Sequence, residues 1–168
     1  DVNEFVEVAG SAGLDLSQYQ IVLYNGNGGV AYDTKTLSGL IDDEGSGVGA
    51  VAFTYPTNGI QNGTPDGLAL VRLPNTVIQF LSYEGAFLAN DGPAMGITAT
   101  NIPVTETGTE AAGLSLQLIG SGNQYSSFTW TGPVTASPGT INTGQSVQAQ
   151  MGTITATMVE TTMMGACT

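Results

Sequence analysis

Eight short apolar runs, each rich in β-branched or aromatic residues and each closed off by Gly, Asn or Pro, limit what this chain can become. They are EFVEVA (4 to 9), QIVLYN (20 to 25), AVAFTY (50 to 55), GLALVRL (67 to 73), TVIQFLSY (76 to 83), LSLQLIG (114 to 120), SFTWTG (127 to 132) and TITATMVE (153 to 160). None is long enough for an ordinary helix, and none carries an apolar period of 3.6 residues. The pattern predicts an all-β sandwich or barrel. The 24 glycines fall at turn-like intervals rather than at every third residue, which excludes a collagen-type helix.

The connections support the same class. NGNGG at 25 to 29 suits a tight hairpin, because Gly and Asn tolerate positive φ at low cost. LPN at 73 to 75 is placed to join two neighbouring strands. Longer connections run over 38 to 49, 56 to 66 and 85 to 113, and the last is expected to hold a short strand near 97 to 104. Apolar residues on both faces of 76 to 83 predict a central strand covered on both sides. Phe128 and Trp130 alternate onto one face and are expected in the core.

Charge narrows the partners. Fourteen acidic residues stand against two basic ones, Lys35 and Arg72, for a net charge of -12. A basic groove for nucleic acid is thereby excluded, since such binding rests on Lys and Arg neutralising phosphates. No apolar stretch is long enough to predict membrane insertion. Acidity, scarce Lys and abundant Gly, Thr, Ser and Asn predict an extracellular or cell-surface protein. The chain opens at Asp1 without a basic-then-apolar leader, as a processed product would. Asn62, in Asn62-Gly63-Thr64, is a candidate glycosylation acceptor. Cys167 stands alone, cannot close an intrachain disulfide, and is a candidate crosslink between neighbouring copies.

Chemistry is constrained by what is missing. With no histidine, Ser-His-Asp and Cys-His catalysis and His-bearing zinc sites are impossible, and the chain is expected not to be an enzyme. GSGVG at 45 to 49 lacks the Lys-Ser/Thr of a phosphate-binding loop. Asp42, Asp43 and Glu44 form the densest acidic run and are candidate metal ligands. They lack EF-hand spacing, and a solvated acidic loop is the plainer account. No cofactor is expected beyond a calcium ion at that run. Glu4 and Glu7 are an odd number of positions apart, so a regular strand sends them to opposite faces. Asp66, before Gly67, is expected to cap a turn through backbone N–H groups.

DVNEFVEVAG, LDLSQYQIVLYNGNGG, DGLALVRLPNTVIQFLSYEG and SLQLIG with FTWTGPVTASPGTINTGQ follow one another in an order that resembles a lamin-tail-type domain of secreted bacterial proteins. The resemblance covers residues 1 to 145. It implies an immunoglobulin-like β-sandwich with a binding or structural role rather than one conserved chemistry. It also implies a hydrophobic opening strand of the I-N-E-I kind, which this chain lacks. The expected result is an acceptor edge along Phe5, Val6 and Val8, because an unpaired strand edge and uncovered core are both costly.

Residues 146 to 168 then read as a C-terminal extension beyond the domain at 1 to 145. In it Ile154, Ala156 and Met158 share one face, Thr153, Thr155, Thr157 and Thr161 share the other, and Val159 breaks the alternation. Such a segment closes the gap in its own domain or acts as a donor strand for the next copy. The favoured expectation is a structural subunit of an extracellular, pilus-like filament, joined head to tail with copies of itself. The alternative is a non-catalytic binding or adhesive accessory module of a secreted protein, stabilised by calcium.

Overall fold

The computed structural model describes residues 2 to 106 and 110 to 148. Ile154, Ala156, Met158, Val159 and Cys167, and with them the donor strand and the crosslink, lie outside the described residues. The chain is all-β, as its strand runs predict. The described residues form ten strands, β1 (Phe5–Ser11), β2 (Tyr19–Asn25), β3 (Val30–Thr36), β4 (Val48–Thr54), β5 (Asp66–Arg72), β6 (Thr76–Tyr83), β7 (Thr100–Asn101), β8 (Leu114–Gly122), β9 (Phe128–Thr135) and β10 (Gln145–Val147). Within the chain two compact units form from interleaved segments. The first takes Asp1–Asp15, Leu40–Asn58 and the described part of Glu106–Thr168; the second takes Leu16–Gly39 and Gly59–Thr105.

The first unit holds the antiparallel ribbon β1-β4 and the three-stranded sheet β10-β8-β9. Phe5 of β1 packs with Ala52 of β4 and with Ala136 just past β9, so ribbon and sheet meet as layers. Every residue of β1 from Phe5 to Gly10 is buried, which is why EFVEVA is apolar on both faces. The sheet buries Leu116, Leu118, Phe128 and Trp130, so the two aromatics are core residues as expected. The Trp130 indole N–H is satisfied by donating to the Tyr125 hydroxyl at 2.8 Å.

The second unit is one five-stranded sheet in the order β3-β2-β5-β6-β7. NGNGG forms the β2–β3 hairpin tip, where the Asn27 N–H donates to Asn25 Oδ1 at 2.8 Å. LPN joins the antiparallel pair β5–β6. Val22, Ala69 and Phe80 lie in register across three strands, and with Tyr24 and Val71 they form one apolar face. The long connection after β6 covers that face with Phe87, Ala89, Ala94 and Ala99. It also contributes the short strand β7, inside the span where one was expected. Phe80 meets Tyr24 at 5.1 Å and Phe87 edge-on at 5.4 Å between ring centroids, the tilted geometries that ring quadrupoles favour. β6 lies inside the sheet as expected; its residues Phe80, Leu81 and Ser82 are buried, whereas Thr76 and Ile78 are exposed.

Besides β7, two strands have no counterpart among the eight sequence runs. β3 (VAYDTKT) is a partly exposed edge strand, held by its hairpin and by pairing with β2 rather than by an apolar stripe. β10 is three residues long, runs parallel to β8, and straddles the boundary expected at residue 145.

Gly67 explains why DGLALV opens as it does. A Cβ on Gly67 would lie 2.4 Å from the Leu81 carbonyl oxygen and 3.0 Å from the Phe87 ring. Gly67→Ala is therefore expected to lower stability by about 1 to 3 kcal/mol, by pushing Phe87 off the sheet and straining the β5–β6 ladder. Thermal melts followed by circular dichroism check this: melting within a degree of the native chain would show that the Phe87 contact has slack.

Candidate functional site

The first unit carries a cleft of about 620 Å³ where β1 begins and β4 ends. Val2, Phe5, Tyr55, Pro56, Ala136 and Pro138 give it apolar walls, and Asn3, Thr54 and Thr57 add polar groups. Its volume falls within the range of roughly 300 to 1,000 Å³ usual for binding sites. Asn3, at φ 61°, turns the chain into β1; Asn is among the few residues that take this left-handed conformation readily. Val2 is 48% exposed, an apolar side chain at the edge of the cleft rather than in the core.

The expected acceptor residues divide. Phe5 lines the cleft, whereas Val6 and Val8, at 0% exposure, do not. Among the described residues β1 pairs with β4 alone, so no strand occupies its other edge. At that end of the ribbon Val2 and Asn3, just before β1, are the exposed residues.

The wall that contains Ala136 and Pro138 continues into the segment SPGTIN (137 to 142), which is tied down by carboxylates. The Gly139 N–H donates to Glu7 Oε2 at 2.6 Å, and the Ile141 N–H donates to Glu44 Oε2 at 2.8 Å. Glu44 Oε1 accepts from the Ala50 N–H at 2.7 Å. Asn142 is buried and donates to the Leu118 carbonyl and to Gln145 Oε1, which secures the far end of the segment.

Glu7, beside this segment, is the carboxyl whose surroundings local spacing does not reveal. It is fully buried, and its Oε1 has no hydrogen-bond partner among the described residues. Burial pushes its carboxyl up to about 8; the Gly139 N–H opposes the rise and the nearby Glu44 charge adds to it. The signal was present in EFVEVA: a strand apolar on both faces must bury any carboxyl it carries. The expectation that Glu4 and Glu7 alternate holds to the extent that the β1–β4 register has no bulge, yet both residues are buried. A protonated Glu7 beside Glu44 has the ingredients of an acid–base pair. Glu7 is sealed from solvent, however, and both Glu44 oxygens accept backbone N–H groups, so the pair fastens a loop rather than facing a substrate.

The other candidates are placed as follows. Asp43 Oδ1 accepts from the Gly45 and Gly47 N–H groups at 2.9 and 3.0 Å, closing the glycine-rich turn before β4. With Asp43 and Glu44 engaged in this way and Asp42 exposed, the run is a structured turn. Among the described residues no group of three or more Asp, Glu, Cys or His gathers in a way that could hold a metal. Asp66 is buried and accepts from Gly26 and Gly63 N–H groups at 3.0 and 2.6 Å, the turn-capping role its position suggested. Asn62 is exposed, and the Thr64 hydroxyl of the same tripeptide donates to Glu84 Oε2 at 2.6 Å. No helix among the described residues is long and apolar enough to cross a membrane. No family model, no curated protein and no solved structure matches this chain.

The Glu7 carboxyl makes stability depend on pH in a definite direction. Below about 4.5 both folded and unfolded chains carry the proton, and Glu7 contributes nothing. Between about 4.5 and about 8 the unfolded chain loses it while the folded chain keeps it, so stability falls as pH rises through that window. Glu7→Gln, which retains an acceptor for the Gly139 N–H, is expected to match the native chain near pH 4.5 and to exceed it by about 2 to 4 kcal/mol at pH 8. Urea melts of both proteins at the two pH values measure the difference. An equal gap at both would mean that Glu7 ionises normally.

Proposed function

We propose that this chain is a structural subunit of an extracellular filament, in which residues 153 to 161 of one copy enter the cleft at the start of β1 in the next. The single observation that carries this reading is the apolar cleft itself, at the end of a two-stranded ribbon whose β1 edge pairs with no further strand among the described residues. An incoming strand there gains backbone hydrogen bonds from the ribbon edge and burial from Phe5, Tyr55 and Ala136. The alternating face of Ile154, Ala156 and Met158 supplies apolar side chains for those walls, and unbranched Met adapts to an irregular cleft. Head-to-tail exchange of this kind does not close on itself and so propagates. The order of segments resembling a lamin-tail-type domain supports a non-catalytic module, and the scarcity of Lys supports a location outside the cell.

The same cleft favours a second reading, an accessory module that binds an extended apolar peptide of another protein. Two variants of the full chain separate the readings. Val2→Asp places a charge at the exposed rim of the acceptor cleft, and Met158→Asp places one in the donor. Each alone is expected to abolish filaments seen by negative-stain imaging. Mixed together they should form a stopped 1:1 dimer, since one retains a donor and the other an acceptor. Filaments that persist in either variant overturn the donor-strand reading, and a native chain that never polymerises favours the peptide-binding one.

A further inference from the structure

The edge strand of the second unit presents a charge pattern complementary to itself. β3 pairs with β2 alone among the described residues, and its exposed positions include Asp33, Thr34 and Thr36, with Lys35 half-buried between them. A strand edge of this kind is a template for another chain. The β2–β3 register shifts between Leu23 and Tyr24, which leaves residues 33 to 36 as the regular stretch beyond the bulge.

At net charge -12, two copies repel over most of their surfaces, and a polar contact between them is favoured where opposite charges meet. Only two basic side chains exist to meet them. Arg72 ends β5, an inner strand, whereas Lys35 lies on the edge, two positions from Asp33 and so on the same face of the strand. We propose that β3 is a contact between two copies of this chain, paired antiparallel about a two-fold axis at Thr34. That register sets Asp33 of each copy opposite Lys35 of the other, twice over, with Thr34 facing Thr34. Parallel in-register pairing would oppose like charges and is disfavoured. A solitary Lys on an edge strand blocks such pairing. Here the Asp two positions before it turns the block into a match for a second copy. The contact is isologous and short, hence weak between dilute molecules and cumulative between copies already held in a row. It does not depend on the C-terminal segment.

Cysteine crosslinking of the full chain tests it, with Cys167→Ser removing the native thiol. In antiparallel pairs, directly opposed Cα atoms lie about 4.5 or 5.5 Å apart, and both distances suit a disulfide. On mild oxidation Thr34→Cys is expected to give covalent dimer at least about fivefold faster than Thr36→Cys, which the register places away from its own counterpart. Adding Lys35→Asp should remove that advantage, and the swap of Asp33→Lys with Lys35→Asp should restore it. Boiled, non-reducing denaturing gels report only the disulfide, so association through the C-terminal segment does not enter the reading. Equal rates for Thr34→Cys and Thr36→Cys, or a Thr34→Cys rate indifferent to Lys35→Asp, overturn the proposal.

Discussion

A chain with fourteen acidic and only two basic side chains has few counter-ions of its own, and backbone N–H groups satisfy several of its carboxylates. Glu7 takes Gly139, Glu44 takes Ala50 and Ile141, Asp66 takes Gly26 and Gly63, and Asp91 takes Ala31. Most of these bonds join segments far apart in sequence, so each fastens a loop to a strand and not merely a turn to itself. Hydrogen bonds to a charged acceptor contribute more than neutral ones, about 1.5 to 3 kcal/mol each, a gain that a protonated Glu7 forgoes. The loops that frame the cleft and the hairpin tips are placed by these bonds as much as by apolar packing.

Glu7 is where that arrangement is least complete. The backbone N–H groups of Gly139 and Thr140 do not offset full burial, so the carboxyl holds its proton at neutral pH while Oε1 lacks a partner among the described residues. Tyr24 follows the same rule in the second unit. Its hydroxyl accepts from the Ala94 N–H and donates to the Asp91 carbonyl, and burial raises its pKa. In both cases a polar group inside an apolar layer anchors the long connection that crosses it.

Much of the fold could be read from the runs themselves. TVIQFLSY matches β6 residue for residue, and six other runs match strands to within a few positions, because apolar composition and Gly or Asn punctuation report local conformation directly. β3 escaped because an edge strand needs no apolar stripe, and β10 because three residues in a parallel pair leave no periodic trace. The turn role of Asp66 was legible from Asp-Gly. The engagement of Glu7 with a residue 132 positions away was not, since nothing local distinguishes a carboxyl that will meet such a loop from one that will meet solvent. The cleft is likewise built from three separate segments, and no spacing rule connects Val2, Tyr55 and Pro138.

The interleaving of the two units sets an order of completion during synthesis. The chain passes between them at residues 15 to 16, 39 to 40, 58 to 59 and 105 to 106. All strands of the second unit have left the ribosome once Asn101 has emerged, whereas the first then still lacks three of its five described strands, the last of them ending at Val147. β1, made before the other described strands, is thus among the last of them to receive its cover, and its apolar residues and Glu7 wait in water while a later-starting unit finishes. A nascent chain arranged this way relies on contacts of long sequence separation, the kind that slows folding, and neither unit can be obtained by trimming from one end.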